Sequence, residues 1–251
     1  MTDEVVLSWS GGIDSTALLG LLLQAGRRVR AINFRIYDDV APLMAARERD
    51  ARSVLLSKIR RGQGRVIMEE CPGDWIWRFS PDGVEIPHRN KRIIDVMIDH
   101  LSPAAPARVE IALGEYVGAD SWVVREHVGE QDADARWLSS YIVQEYGLRV
   151  RLWTLADFGE SRYKSDRVAL LLRAVGEEAA LLTTNCMRNV PTHCGVCYKC
   201  IERAVAFDLT LGSGEDTTSY TVDPRGRAEY GVYARQMAGE EVVLHPGEFQ
   251  K

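Results

Sequence analysis

Two groups of residues in this chain carry chemistry by their type and spacing. The first is Ser8-Trp9-Ser10-Gly11-Gly12-Ile13-Asp14-Ser15, which follows the apolar run Val5-Val6-Leu7 and leads into Thr16–Leu23, a stretch that reads as a buried helix. A strand that enters a helix through glycines turns backbone N–H groups and the positive helix end toward one anion. Gly11 and Gly12 put no Cβ in its way, and Ser8, Ser10 and Ser15 add hydroxyl donors. The loop lacks the Gly-Lys-Ser/Thr ending of a Walker A motif. The second group is Cys186, Cys194, Cys197 and Cys200, spaced by seven, two and two residues. Four thiolates make a closed tetrahedral zinc site of the structural kind. Such a site contributes on the order of 10 kcal/mol to local folding.

Cys-x-x-Cys-x-x-Cys also suits an iron–sulfur cluster, so the metal stays open at this point. His193, next to Cys194, is either a substitute ligand or a residue outside the ligand set. The fifth cysteine, Cys71, stands alone.

The elements that must hold these groups alternate along the chain. Strands are predicted at Val5–Leu7, Val29–Phe34, Val66–Met68, Glu110–Gly114, Leu148–Trp153 and Ala179–Thr183. Helices are predicted near Asp14–Gln24, Pro42–Lys58, Lys91–Leu101, Asp134–Tyr146 and Lys164–Val175. That alternation predicts an α/β fold with a parallel sheet covered on both faces, ligands lying at the carboxyl ends of its strands. After Leu211 the turn-rich Gly212–Thr218 breaks the pattern, so residues 1–211 read as one domain and 212–251 as a peripheral extension with one helix near Arg225–Ala238.

Composition narrows the classes. The chain has 251 residues, 46% of them hydrophobic, and a net charge of −5. Its pI is about 5.6 and its mean hydropathy −0.17. An acidic chain exerts no global pull on nucleic acid. No apolar run reaches the roughly 18 residues that span a membrane. The start, Met1-Thr2-Asp3-Glu4, has no signal-peptide pattern, so a cytoplasmic protein is expected.

The glycine loop resembles the pyrophosphate loop of the PP-loop ATP pyrophosphatases. Three segments together resemble one branch of them, the 7-cyano-7-deazaguanine synthases: Ser10–Ser15, Pro87-His88-Arg89-Asn90, and Cys194-Gly195-x-x-Cys197-x-x-Cys200-x-x-Arg203 with Cys186 upstream. The resemblance runs from about Val5 to about Phe207. It implies a Rossmann-like, doubly wound sheet of the adenine nucleotide alpha hydrolase type with a C-terminal zinc-binding region. It further implies an ATP-dependent ligase that adenylates 7-carboxy-7-deazaguanine, releases pyrophosphate, and uses ammonia to form the amide and then the nitrile. ATP, Mg²⁺ and structural Zn²⁺ are the implied cofactors, and a homodimer is common in the family. Ser8, Ser10, Gly11, Gly12, Asp14 and Ser15 would cradle pyrophosphate, with Asp14 also holding Mg²⁺. Lys164, with Arg162 as its competitor, would meet the phosphates. Arg89 and Asn90 would lie near the nucleotide, Asn33 and Phe34 at the adenine, and Arg203 beside the zinc region.

The chain also departs from that pattern. The family's Asp-Cys-Arg element after the fourth strand is missing. Asp132 or Asp134 with Arg136 is the substitute on offer, without the cysteine. The family's Ser-Cys-Tyr is Asn185-Cys186-Met187 here, and the aromatic segment Asp74–Phe79 reads as packing or as a base-stacking surface. These departures fit a defence-type relative that passes the activated deazaguanine to a protein amine. Two other readings are a tRNA-modifying sulfurtransferase, which the acidic charge disfavours, and a non-catalytic nucleotide-binding scaffold.

Overall fold

A computed structural model describes residues 4–35, 41–62, 66–72, 97–98, 108–113, 138–159, 161 and 163–240. The first strand, β1 (Glu4–Ser8), lies in the middle of a five-stranded sheet in the order β3-β2-β1-β4-β5, where β2 is Arg28–Arg35, β3 Val66–Pro72, β4 Arg108–Leu113 and β5 Arg149–Trp153. Every pairing is parallel; Ser8 sits between Ile32 of β2 and Leu113 of β4. Parallel strands need crossover helices. The helices are α1 (Ile13–Gln24), α2 (Pro42–Gly62), α3 (138–146), α4 (Lys164–Val175), a single turn α5 (Glu177–Ala180), α6 (Tyr198–Leu211) and α7 (Ala228–Met237).

The unbroken Val5-Val6-Leu7 run is explained by burial on both faces. Val5 and Leu7 pack with residues of α1, α2, α4, α6 and α7. Val6 turns the other way, into a second cluster with Ile32, Phe34, Ile111, Leu113, Met97, Ile98, Leu138 and Ile142. From Ala17 to Leu23 helix α1 is apolar all round because it is enclosed: Ile13 through Leu23 are buried. Gly20 is where α4 crosses it. A Cβ there would lie 2.7 Å from Val175 Cγ1 and 2.8 Å from Ala174 Cβ.

Five predicted strands and most helices appear at their expected places. The sixth, Ala179–Thr183, does not pair. Gly176, at φ +79, starts the helical turn α5 instead, and its N–H groups face Glu177 and Glu178 in the favourable first turn. The following carbonyls of Leu181 and Thr183 go to the Arg203 guanidinium rather than to a neighbouring strand. Of predicted helix Lys91–Leu101, only 97–98 is described, and it is helical.

The stretch after Leu211 lies against the body. Tyr233 and Met237 of α7 join the main apolar cluster, and Asp208 of α6 takes both nitrogens of Arg225 at 2.8 Å and the Tyr230 hydroxyl at 2.5 Å. Among the described residues, no helix is long and apolar enough to cross a membrane.

Gly20→Ala is expected to lower stability by about 1 kcal/mol or more in urea unfolding, because overpacking against α4 outweighs the gain in helix propensity. Gly20→Val should cost more. Wild-type stability in both would show that α1 and α4 do not pack as described.

Candidate functional site

The glycine loop leaves the carboxyl end of the central strand, where β1 passes between β2 and β4. Trp9 anchors it: the indole is fully buried and donates to Thr16 Oγ1 at 3.0 Å, while the Trp9 carbonyl accepts from Asn33 Nδ2 at 3.1 Å. Gly11 adopts φ +85, and a Cβ there would lie 2.8 Å from Arg52 Cγ, so no other residue fits without movement. The loop is internally bonded: Gly12 N–H donates to Ser10 Oγ at 3.2 Å, and the Ser10 and Ser15 hydroxyls lie 3.1 Å apart. Gly12 is also the N-cap of α1 and brings no side chain to cap it. The start of α1 therefore has no side-chain cap and stands beside two hydroxyls, and an uncapped helix start is in general suited to an anion.

Asp14, in the first turn of α1, is buried. Lys164 Nζ donates to its Oδ2 at 2.6 Å, and Arg167 Nη1 lies 3.6 Å from Oδ1. Burial is the largest influence and pushes the Asp14 pKa up. The charges of Lys164 and Arg167, the Lys164 hydrogen bond and the charge of Lys199 outweigh it, so the carboxyl titrates below its ordinary 3.8. Oδ1 accepts no hydrogen bond among the described residues. Arg52, also buried, reaches over from α2 to the Ser10 carbonyl at 3.2 Å.

The cysteines converge as expected. Their four Sγ atoms lie within 4.8 Å of one another, with Cys194–Cys200 at 3.9 Å and Cys186–Cys197 at 4.0 Å. A tetrahedral ion with thiolates at about 2.3 Å sets sulfur separations of about 3.8 Å. The four cysteines are thus positioned to bind a metal ion, a geometry compatible with structural zinc. A multi-iron cage spreads its thiolates more widely. Backbone N–H groups of Arg188 and Cys194 point at Cys186 Sγ, and those of Val196 and Cys197 at Cys194 Sγ. The start of α6, with Cys197 as N-cap, adds its positive end. Hydrogen bonds, from Cys197 first and then Cys200, hold the Cys186 thiol far below its ordinary value. The bond with Cys186 pushes Cys197 up to about 11. Without a cation, these sulfurs do not all ionise.

His193 is not part of this grouping. It is buried; Asn185 N–H donates to its Nε2 at 3.3 Å, and its ring meets Tyr220 edge-on. Burial first, then Arg203 and Arg47, push its pKa down to about 3, so it is a neutral packing residue.

Two features tie the cluster to the rest. Arg47 of α2 donates to the carbonyls of Cys186, Val190 and Thr192, and Asn189 Oδ1 accepts from the N–H groups of Leu43 and Met44 at the start of α2. The second feature is the chain beyond Leu211. Thr221 and Val222 N–H groups bond to the carbonyls of His193 and Cys194, and Tyr220 packs on the cysteines. A Cβ on Gly195 would lie 1.6 Å from the Val222 carbonyl oxygen. The segment read as a peripheral extension covers the cysteine cluster.

Of the predicted residues, Ser10, Gly11, Gly12, Asp14, Ser15 and Lys164 come together, Ser8 ends β1 just before them, and the cysteines form their own cluster. Asn33 is on the loop side, whereas Phe34 points to the opposite face and packs with Ile32 and Leu113. Arg203 is fully buried and bonds to Leu181, Thr183 and Thr218 rather than to a sulfur. Arg89, Asn90, Arg162, Asp132, Asp134 and Arg136 lie outside the described residues. The sequence reading missed Arg167, whose signal was its place three residues after Lys164 on one helix face. It also missed Arg52 and Lys199, for which no local pattern exists. No protein-family model and no curated protein matches this chain.

Asp14→Asn is expected to destabilise by about 3 kcal/mol at neutral pH, because it leaves Lys164 and Arg167 without their buried anion. A carboxyl with a lowered pKa gives stability above its ordinary 3.8 that fades as pH falls through its folded value. The gap between wild type and variant should therefore close below pH 4; a gap that persists there would show that the pair is not the cause. Gly195→Ala should displace residues 220–222 and speed metal release to a colorimetric chelator. Unchanged release would refute the covering role of that segment.

Proposed function

We propose that the protein is an ATP-dependent ligase that binds ATP with its pyrophosphate portion in the glycine loop. One observation carries this reading: the uncapped start of α1, the Ser10 and Ser15 hydroxyls, Lys164 and Arg167 converge on one loop at the carboxyl end of the central strand. The strand order reverses at that point, between β1 and β4, which is where doubly wound, Rossmann-like sheets take their ligands. The proposal includes that fold type, in its adenine nucleotide alpha hydrolase form, and membership of the PP-loop enzymes.

In the proposed reaction a carboxylate oxygen of 7-carboxy-7-deazaguanine attacks the α-phosphorus of ATP. The bond from that phosphorus to the bridging oxygen breaks, and pyrophosphate leaves with the electron pair. Ammonia or a protein amine then attacks the acyl carbon, a proton is lost, and AMP leaves. Lys164 and Arg167 neutralise charge on the departing pyrophosphate, and the loop N–H groups orient it. Asp14 holds Lys164 in place through their hydrogen-bonded pair. Mg²⁺ supplies further neutralisation when bound, and Asp14 Oδ1 is the oxygen with capacity for it. The cysteine cluster holds zinc in a structural role, as four thiolates leave no open position.

The test is incubation of the protein with ATP, Mg²⁺ and 7-carboxy-7-deazaguanine, with ammonium or a candidate protein amine. AMP and pyrophosphate should appear in equal amounts, and Lys164→Ala should lower kcat on the order of a hundredfold. Release of ADP and phosphate, or no turnover with either acceptor, would refute the proposal.

A further inference from the structure

Lys199 stands between two cysteines of the cluster, in the first turn of α6, with 8% of its surface exposed. A metal knuckle does not need a lysine there, and burying an ammonium is costly unless anions surround it. The segment that carries it is bound to the glycine loop. Thr184 N–H donates to the Gly11 carbonyl at 3.1 Å, and the next residue, Asn185, donates from Nδ2 to the Lys199 carbonyl at 2.9 Å. A Cβ on Gly12 would lie 3.3 Å from the Thr184 carbonyl oxygen, so the two backbones run in contact. On its other side, the Lys199 backbone is fixed by the cluster: Cys197 N–H points at Cys194 Sγ and Cys200 N–H at the Cys197 carbonyl. Lys199 Nζ lies 3.9 Å from Glu202 Oε2, a buried oxygen that accepts no hydrogen bond among the described residues. Its charge also acts on Asp14, in the first turn of α1.

We infer that Lys199 is a phosphate-contacting cation of the glycine-loop site, and that the cysteine cluster positions it there. The metal centre then has a second task besides closing its own loop: it sets where one charge of the anion site stands. This inference rests on the reading that the glycine loop binds pyrophosphate. A lysine suits the task because its point charge follows a polyphosphate without demanding one geometry.

The test uses the metal-loaded full chain and inorganic pyrophosphate with Mg²⁺, by titration calorimetry. Lys199→Met is expected to weaken binding on the order of tenfold, with metal content and far-UV circular dichroism unchanged. Lys199→Arg should restore most of the affinity. Binding should also depend less steeply on salt in the methionine variant. With cobalt in place of zinc, pyrophosphate should alter the cobalt–thiolate absorption of wild type and leave that of Lys199→Met unaltered. Equal affinity of Lys199→Met and wild type would overturn the inference and leave the loop reading intact. So would loss of metal together with affinity, or a cobalt spectrum that ignores bound pyrophosphate in wild type. If wild type does not bind pyrophosphate, the loop reading itself fails.

Discussion

A carboxylate with 7% of its surface exposed stays ionised only where cations stand close, and Asp14 draws its cations from distant parts of the chain. Lys164 and Arg167 come from α4, which must therefore dock on α1, and the Gly20 contact lets the two helices approach. Lys199 comes from α6, whose start is fixed by the cysteines. Helix packing, sheet order and cysteine cluster are thus all enlisted around one charge. In return, that charge holds two cations next to the start of α1.

Helix α2 joins the two centres. Its Arg52 meets the glycine loop, and its Arg47 holds the cysteine loop through three carbonyls. Both arginines lie on one helix, one turn and a residue apart, so a tilt of α2 moves both loops together. Arg203 plays the matching part from α6. Its guanidinium, stacked on Phe207 at 4.4 Å, satisfies carbonyls of the segment that leads from α5 to the cysteines. These links run largely between backbone carbonyls and arginines, each of which offers five donors in a fixed fork.

Much of this was legible in the sequence, and the limits have physical causes. Val5-Val6-Leu7 gave a buried parallel strand because burial on both faces leaves no alternation. The glycine loop and the cysteines were readable because their chemistry is local in sequence. The Lys164–Val175 helix matched to the residue, since Gly176 ends it. The Ala179–Thr183 segment misled because short apolar runs suit strand and helix alike, and its carbonyls were claimed by a residue twenty positions on. Asn33 and Phe34 are one step of the pleat apart, and adjacent strand residues face opposite sides, so the two do not share one face of the sheet. The Arg52 cation was invisible because only a tertiary contact brings it to the loop.

The pairing of Gly195 with the chain at Val222 has its own consequence. What meets Gly195 is the Val222 carbonyl oxygen, while the Val222 side chain is 46% exposed. The constraint thus falls on the route of the backbone and hardly at all on residue identity. Many sequences can trace that route equally well, so a segment of this kind can drift in composition while its path stays fixed. It leaves almost no imprint on the letters of the sequence, which is how the cover of a cysteine cluster can look like a peripheral extension.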